Sequence, residues 1–437
     1  MFCGIIRGTR SLCGLPGRSE RPSSRGRSAA HMRADLRVAF YNHTSTVSGA
    51  EINLLSIASN LPNACPVVFA PEGDLAERAR KSGLPTVTLP GYEARLSRNP
   101  LRLVKDSFGM LAAGFRFSQS VRHRGIDLIH ANSLRAGMMA AMFAWRHRTP
   151  VVWHSQDIPP GGWIGRGMKL LARFAARSIL CISRAVMDGF DTPALSRKLE
   201  LVHNGVELRT FRPDEKAAIR VRLREEWDTP ASAKLIVMIG QIAPWKRQAD
   251  AILALKKLLE KGQDVYLWII GEAKFREENR AYLNSLRDLV KNAGLSERVR
   301  FTGFRDDVME LCCAAEALWL CSKNEPFGRV IIEAMSQAIP VVATNGGGVP
   351  EIIEPGRSGL LYETGDIEAL AAQTERLLTD EQLRLSIGDA ATARVARQFT
   401  IAGAAQKIED IYRKVLSYPT PAAGTRLKEG NTYEKPL

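Results

Sequence analysis

Short β-branched runs alternating with helix-length amphipathic stretches constrain this chain more than any other feature. Strand-like runs stand at Leu36–Tyr41, Pro66–Ala70, Asp127–Ala131, Pro150–His154, Ile179–Ser183 and Leu199–Val202, with helical patterns such as Glu51–Leu61 and Arg135–His147 between them. After a charged, Gly- and Pro-marked break the alternation restarts at Lys234–Gln241, Tyr266–Gly271, Val299–Gly303, Ala317–Ser322 and Pro340–Thr344. Fully apolar strands alternating with helices predict α/β architecture, with parallel sheets covered on both faces. At 437 residues the chain exceeds one ordinary core, so two domains are expected. We read 34–206 and 231–398 as two Rossmann-like domains joined by a linker at 207–230. Ile401–Val415 has helical spacing, so 399–417 is read as a closing helix and 418–437 as a frayed tail. In open parallel sheets ligands sit beyond the carboxyl ends of the strands. Two such sheets facing each other place the site in the cleft between them.

The net charge is +15, and residues 1–33 hold seven arginines against the single acid Glu20. That Arg- and Ser-rich stretch lacks the continuous apolar segment of a signal peptide. It reads as a disordered leader or a mis-called start, with Met32 just ahead of the first strand. The charge excess suits anionic lipid or phosphorylated ligands. Nucleic-acid binding rests on charge alone and lacks an aromatic-interleaved motif, so no nucleic-acid partner is expected. The seven cysteines form no CxxC pair and mostly sit in apolar runs, which reads as buried thiols in a reducing compartment. No apolar run approaches the ~20 residues of a membrane helix.

Four segments lie where strands give way to helices. Ser48-Gly49-Ala50-Glu51 follows the first strand, where a glycine allows close ligand approach, although a plain loop glycine fits as well. Gly240–Lys246 follows another strand and offers Lys246 as a point charge for a diphosphate. In Asn324–Met335, Glu325 and Glu333 stand eight positions apart, about two helical turns and on roughly one side. The amides of Gly328, Arg329 and Val330 would open the helix as an anion site, and the carboxylates suit sugar or ribose hydroxyls. Asn345-Gly346-Gly347-Gly348 offers bare backbone for a ligand, or a simple turn.

These segments, with Asn204-Gly205-Val206 and Glu351, make the chain resemble the retaining glycosyltransferases of family 4, which have the GT-B fold. The resemblance runs from about Leu36 to Val395 and is strongest in the second half. It implies that Glu325 meets the hydroxyls of the donor sugar, Glu333 the ribose, and Lys246 the diphosphate of a nucleotide-sugar donor. It also implies that Gly49 closes over the phosphates. Gln241 stands where the family often has Arg, and His130-Ala131-Asn132 keeps one His of a family His-x-His on the acceptor side. The resemblance implies retention of configuration by front-face attack, without a metal or cofactor. Asp306-Asp307 is not a metal-binding DxD and reads as a helix start. The expected function is transfer to a glycan or lipid-linked acceptor, in cell-surface polysaccharide synthesis. An epimerase-like relative and a catalytically silent binding protein are the alternatives.

Two basic stretches bear on the acceptor. Arg95, Arg98, Arg102, Lys105, Arg116, Arg122 and Arg124 share a region with Leu101, Val104 and Phe108. Arg166, Lys169, Arg173 and Arg177 recur at helical spacing beside Trp163, Met168, Leu171 and Phe174. They predict a cytoplasmic protein docked peripherally on an anionic membrane, or a solvated basic face.

Overall fold

The computed structural model describes residues 36–90, 100–274 and 276–417, of which 100–107 are described as backbone alone. The leader, the tail, Arg95 and Arg98 lie outside the described residues. The first half is built from β1 (Leu36–Tyr41), α1 (Gly49–Asn60), β2 (Ala64–Pro71), α2 (Asp74–Lys81), β3 (Thr86–Leu89) and α3 (Pro100–Arg122). It continues with β4 (Leu128–Asn132), α4 (Leu134–Met142), α5 (Ala144–His147), β5 (Val151–Ser155), α6 (Gly162–Ala175), β6 (Ala176–Cys181), α7 (Arg184–Phe190) and β7 (Leu199–Leu201). These seven strands form one parallel sheet in the order β3-β2-β1-β4-β5-β6-β7. The helical pattern at 135–147 is split at Phe143, the C-cap of α4 and the N-cap of α5.

The second half contains α8 (Pro213–Glu226), β8 (Lys234–Ile239), α9 (Gln248–Glu260), β9 (Val265–Ile270), α10 (Glu277–Asn292), β10 (Val299–Gly303) and α11 (Val308–Cys313). Then come β11 (Ala317–Leu320), α12 (Arg329–Ser336), β12 (Val341–Thr344), α13 (Val349–Ile352), β13 (Leu360–Tyr362), α14 (Ile367–Thr379), α15 (Glu381–Gln398) and α16 (Ile401–Ser417). Its six strands are parallel in the order β10-β9-β8-β11-β12-β13. Both sheets change direction of strand addition in the middle, between β1 and β4 and between β8 and β11. Such switch points open crevices at the carboxyl ends of the strands.

The stretch read as a linker is largely α8, packed on α11. Its Arg224 is buried, donating to the carbonyls of Ala233 and Ala314 and pairing with Glu316 at 3.1 Å. Cys181, Cys312, Cys313 and Cys321 are buried thiols and Cys65 is half-buried.

The chain crosses between domains twice. Val206 bridges Thr400 in parallel and donates to the Phe399 carbonyl at 2.8 Å. A side-chain carbon on Gly205 would stand 2.6 Å from the backbone of Thr400 and Ile401, so glycine is needed there for the two crossings to touch. Having crossed back, α16 packs on α1 and inserts Ile401, Ala405, Ile408, Ile411, Tyr412 and Val415 into the core under the first sheet. Burying a large apolar side chain of this kind contributes about 1.5–3 kcal/mol. The closing helix of the chain therefore belongs to the core of its beginning.

Candidate active site

Lys246 and Glu325 meet at the carboxyl ends of β8 and β11. Lys246 Nζ lies 2.7 Å from Glu325 Oε2, with the two side chains 13% and 10% exposed. Their loops are tied by the Lys323 amide donating to the Trp245 carbonyl at 2.8 Å. Lys246 also lies over the Trp245 ring at 4.3 Å. A largely buried ammonium needs an anion beside it, and Glu325 supplies one. An anion entering the site would compete with that carboxylate for the ammonium.

Gly328, at φ +99, is the residue before α12, where a side-chain carbon would stand 2.8 Å from Ile331 Cδ1. Arg329 and Val330 follow it as the first residues of the helix. Arg329 reaches back to Glu333 at 2.9 Å and across the cleft to the Gly49 carbonyl at 3.2 Å. The structure thus brings Gly49, Gly328, Arg329, Val330 and Glu333 together, with α1 of one domain facing α12 of the other. Glu351 adds a second strut between domains. It accepts from the Arg184 amide at 2.7 Å and pairs with His203 at 2.8 Å.

Three expectations change. Gln241 shares a loop with Lys246, but its side-chain amide is engaged within the protein, donating to the Lys274 carbonyl at 3.0 Å. An uncharged amide is satisfied by a backbone carbonyl. His130 does not face an acceptor. It is fully buried, stacked on Phe40, 3.1 Å from His154 Nδ1 and 2.7 Å from the Tyr412 hydroxyl of α16. Asn132 is buried too, donating to the Ala50 carbonyl at 3.2 Å and accepting from Gln156 at 3.1 Å, so it braces the start of α1. The glycine loop after β12 is likewise used for contact within the protein. A side-chain carbon on Gly347 would stand 2.0 Å from the Glu325 carbonyl, and the Gly348 amide donates to that carbonyl at 2.8 Å. Asp307 precedes α11 and is held by Arg305 at 2.6 Å, as a helix start would be.

Asp157, just past β5, was not singled out by any motif. It is open to solvent yet set in the cleft wall. Desolvation raises its carboxyl, Glu51 and Glu325 push it further up, and Arg135 and Lys246 oppose them. Charges from both domains therefore converge on it. Nearby His43, past β1, is lowered to about 4 by burial and by Arg135. These groups follow β1, β4 and β5, the middle of the first sheet. A strand-end acid was the one signal the sequence carried.

Burial holds the His130 imidazole well below its usual range, with His154 adding to this, and burial lowers His154 to about 3. Both are neutral in the folded chain and protonated below about pH 6.5 in the unfolded one. The unfolded state then binds more protons, so stability falls as pH drops below that value. Each histidine is expected to cost about 2 kcal/mol at pH 5. Thermal melts of wild type and His154→Gln between pH 7 and 5 check this, the variant showing the shallower loss.

Residues 220–394 match the family described as glycosyl transferases group 1, and residues 48–205 match the glycosyl transferase 4-like domain. The chain is 26% identical over 317 residues to the N-acetyl-alpha-D-glucosaminyl L-malate synthase of Bacillus anthracis, covering 70% of this chain and 79% of that protein. It is 30% identical over 194 residues to the lipopolysaccharide core biosynthesis glycosyltransferase LpsE of Rhizobium meliloti, covering 44% of this chain and 53% of LpsE. The crystal structure of Anabaena HepE in complex with UDP and glucose superposes with a TM-score of 0.75 at 25% identity, covering 86% of this chain and 99% of that one. With both halves matched and the two parallel sheets facing across a cleft, the chain belongs to the group 1 glycosyltransferases and has the GT-B fold.

Proposed function

We propose that this protein transfers a sugar from a uridine-diphosphate sugar to a hydroxyl of a glycan or lipid-linked acceptor in cell-surface polysaccharide synthesis, with retention of configuration. The observation that carries the reading is the Lys246–Glu325 pair at the strand ends of the second sheet, beside the start of α12. The UDP and glucose held by the HepE structure, and the lipopolysaccharide role in the name of LpsE, support the donor and acceptor classes.

In this reading the bond between the sugar carbon and the diphosphate oxygen breaks while the acceptor oxygen bonds to the same face. The departing phosphate oxygen takes the acceptor proton. Lys246 and the opening amides of α12 stabilise the charge that builds on it. Arg135, His43 and Asp157 form the acceptor wall opposite. Charge compensation rests on Lys246, so turnover should survive chelation with EDTA. Incubating the protein with a panel of nucleotide sugars and measuring nucleotide release tests the reading. Release from none of them overturns it.

Glu333→Ala separates binding from chemistry. Losing ribose hydrogen bonds worth about 1.5–3 kcal/mol should weaken UDP affinity about tenfold or more. Turnover at saturating donor should change far less. Calorimetric titration with UDP beside initial-rate kinetics checks both halves.

A further inference from the structure

The helices on one side of the first sheet turn apolar side chains outward. Among the described residues, eight of the fourteen large apolar side chains open to solvent lie on α3, α5 and α6. On α6 the outward stripe reads Trp163, Arg166, Leu170, Arg173 and Phe174, with Trp163 77% and Phe174 76% exposed, while Met168 and Ala172 point into the core. On α3 it reads Phe108, Leu111, Phe115 and Arg116, with Phe108 68% exposed. Those residues line a shallow groove of about 470 Å³ closed at one side by Phe143. Trp145 of α5 is 70% exposed. The patches join, because α3 packs on α4 and α5, and α4 packs on α6.

The charge on this side is mostly positive. Residues 100–181, from the start of α3 to the end of β6, carry twelve Lys or Arg and three acids, Asp106, Asp127 and Asp157. Asp106 lies in α3 ahead of Phe108, Asp127 accepts from the Arg37 amide before β4, and Asp157 faces the cleft. Among the described residues, Arg116, Arg146, Arg166, Lys169, Arg173 and Arg177 enter no ion pair. Arg146 instead covers the Phe115 ring at 4.1 Å, and Arg173 lies by Phe174 at 5.5 Å. Burial lowers the Lys198 ammonium, and Arg177 and Arg173 add to this, a sign of uncompensated positive charge at the end of α6.

We infer that the outward face of α3, α5 and α6 is a docking surface for an anionic lipid bilayer, with Trp163, Phe174 and Phe108 entering the interface and the arginines meeting headgroups. Aromatic side chains interleaved with unpaired cations suit a surface that is apolar within and negative without. A protein partner would need acids matched to scattered arginines, whereas a bilayer supplies negative charge everywhere. The orientation follows from the topology. Helices in parallel sheets begin at the carboxyl ends of the strands, so α6 starts five residues after Asp157 and sets Trp163 at the mouth of the cleft. An acceptor held by a lipid in that bilayer would present its sugar to Asp157 and Lys246. The purpose of the surface rests on the glycosyl-transfer reading, but its chemistry does not.

The test uses full-length protein and vesicles of phosphatidylcholine alone or mixed equally with phosphatidylglycerol. Wild type should sediment with the mixed vesicles and at least tenfold less with the neutral ones. It should be released at about 1 M salt, where the screening length falls to about 3 Å. Trp163→Ser/Phe174→Ser and Arg166→Glu/Arg173→Glu should each lower partition tenfold or more, with melting temperature and UDP-sugar hydrolysis in solution unchanged. Equal sedimentation with both vesicle types, or wild-type partition by both variants, would overturn the inference. So would a wild-type dimer in light scattering that Trp163→Ser/Phe174→Ser dissolves, since the face would then be a protein interface. Donor hydrolysis is read without vesicles, so a failure of the glycosyl-transfer reading remains separately visible.

Discussion

Lys246→Ala is expected to lower turnover by about a hundredfold or more, the range for removing one group preorganised toward developing charge. The expectation rests on what surrounds it. Gln241 is turned to the Lys274 carbonyl, Arg247 is held by Asp250 at 2.5 Å, and Arg329 is held by Glu333. Among the described residues, Arg247 and Arg329 are thus each held by an acid, and Lys323, on the Glu325 loop, is exposed. The variant also leaves Glu325 in a nearly closed site without its partner, and breaking a buried pair costs about 3–5 kcal/mol, less to the extent that water reaches it. A fall in melting temperature should therefore accompany the fall in rate. Gln241→Arg placed in the Lys246→Ala background should recover part of the UDP affinity, because a guanidinium suits phosphate oxygens. Kinetics, calorimetry and thermal melts of the two single variants and the double variant check this. Wild-type UDP binding by Lys246→Ala would put the diphosphate on another loop.

Gly347→Ala is expected to damage both rate and stability, while Gly346→Ala leaves both nearly intact. Gly347 has φ +61, and its added carbon would stand 2.0 Å from the Glu325 carbonyl; at Gly346 the nearest atom is 3.6 Å away. The left-handed backbone costs an alanine about 1–2 kcal/mol, and the forced shift adds about 1–3 kcal/mol. The shift falls on the loop that aims Glu325, so the rate should drop about tenfold or more, since misplacement of order 1 Å is enough for that. Melting temperature and turnover of the two variants decide it. Equal behaviour would mean that the loop does not position Glu325.

The strands that sit deep in each sheet were legible because both of their faces are buried, which forces unbroken apolar runs such as Leu36–Tyr41 and Lys234–Ile239. β3 and β13 were not, because they are edge strands of four and three residues and carry too little pattern. The E-x7-E spacing placed Glu325 on the loop and Glu333 on the helix. It was silent on the pairing of Lys246 with Glu325, which joins positions 79 apart in sequence. His130 misled for the same reason. Its partner Tyr412 lies 282 residues later, and nothing local distinguishes a core imidazole from one lining a cleft. The triple glycine carried a true signal of close approach, but what approaches Gly347 is the protein's own backbone. Asp157 belongs to no motif, and its environment is assembled from both domains.

The return of α16 has a consequence for how the chain is made. Domains usually mature in the order in which they leave the ribosome. Here the sheet synthesised first lacks Ile401, Ile408 and Tyr412 until the final described helix emerges, so His130 waits for its hydroxyl partner through nearly three hundred residues of synthesis. The second sheet, by contrast, has its strands and the helices that cover them complete once Gln398 is made. The half born first is the half finished last. A nascent chain therefore carries an incomplete first domain beside a mature second domain until α16 has been made.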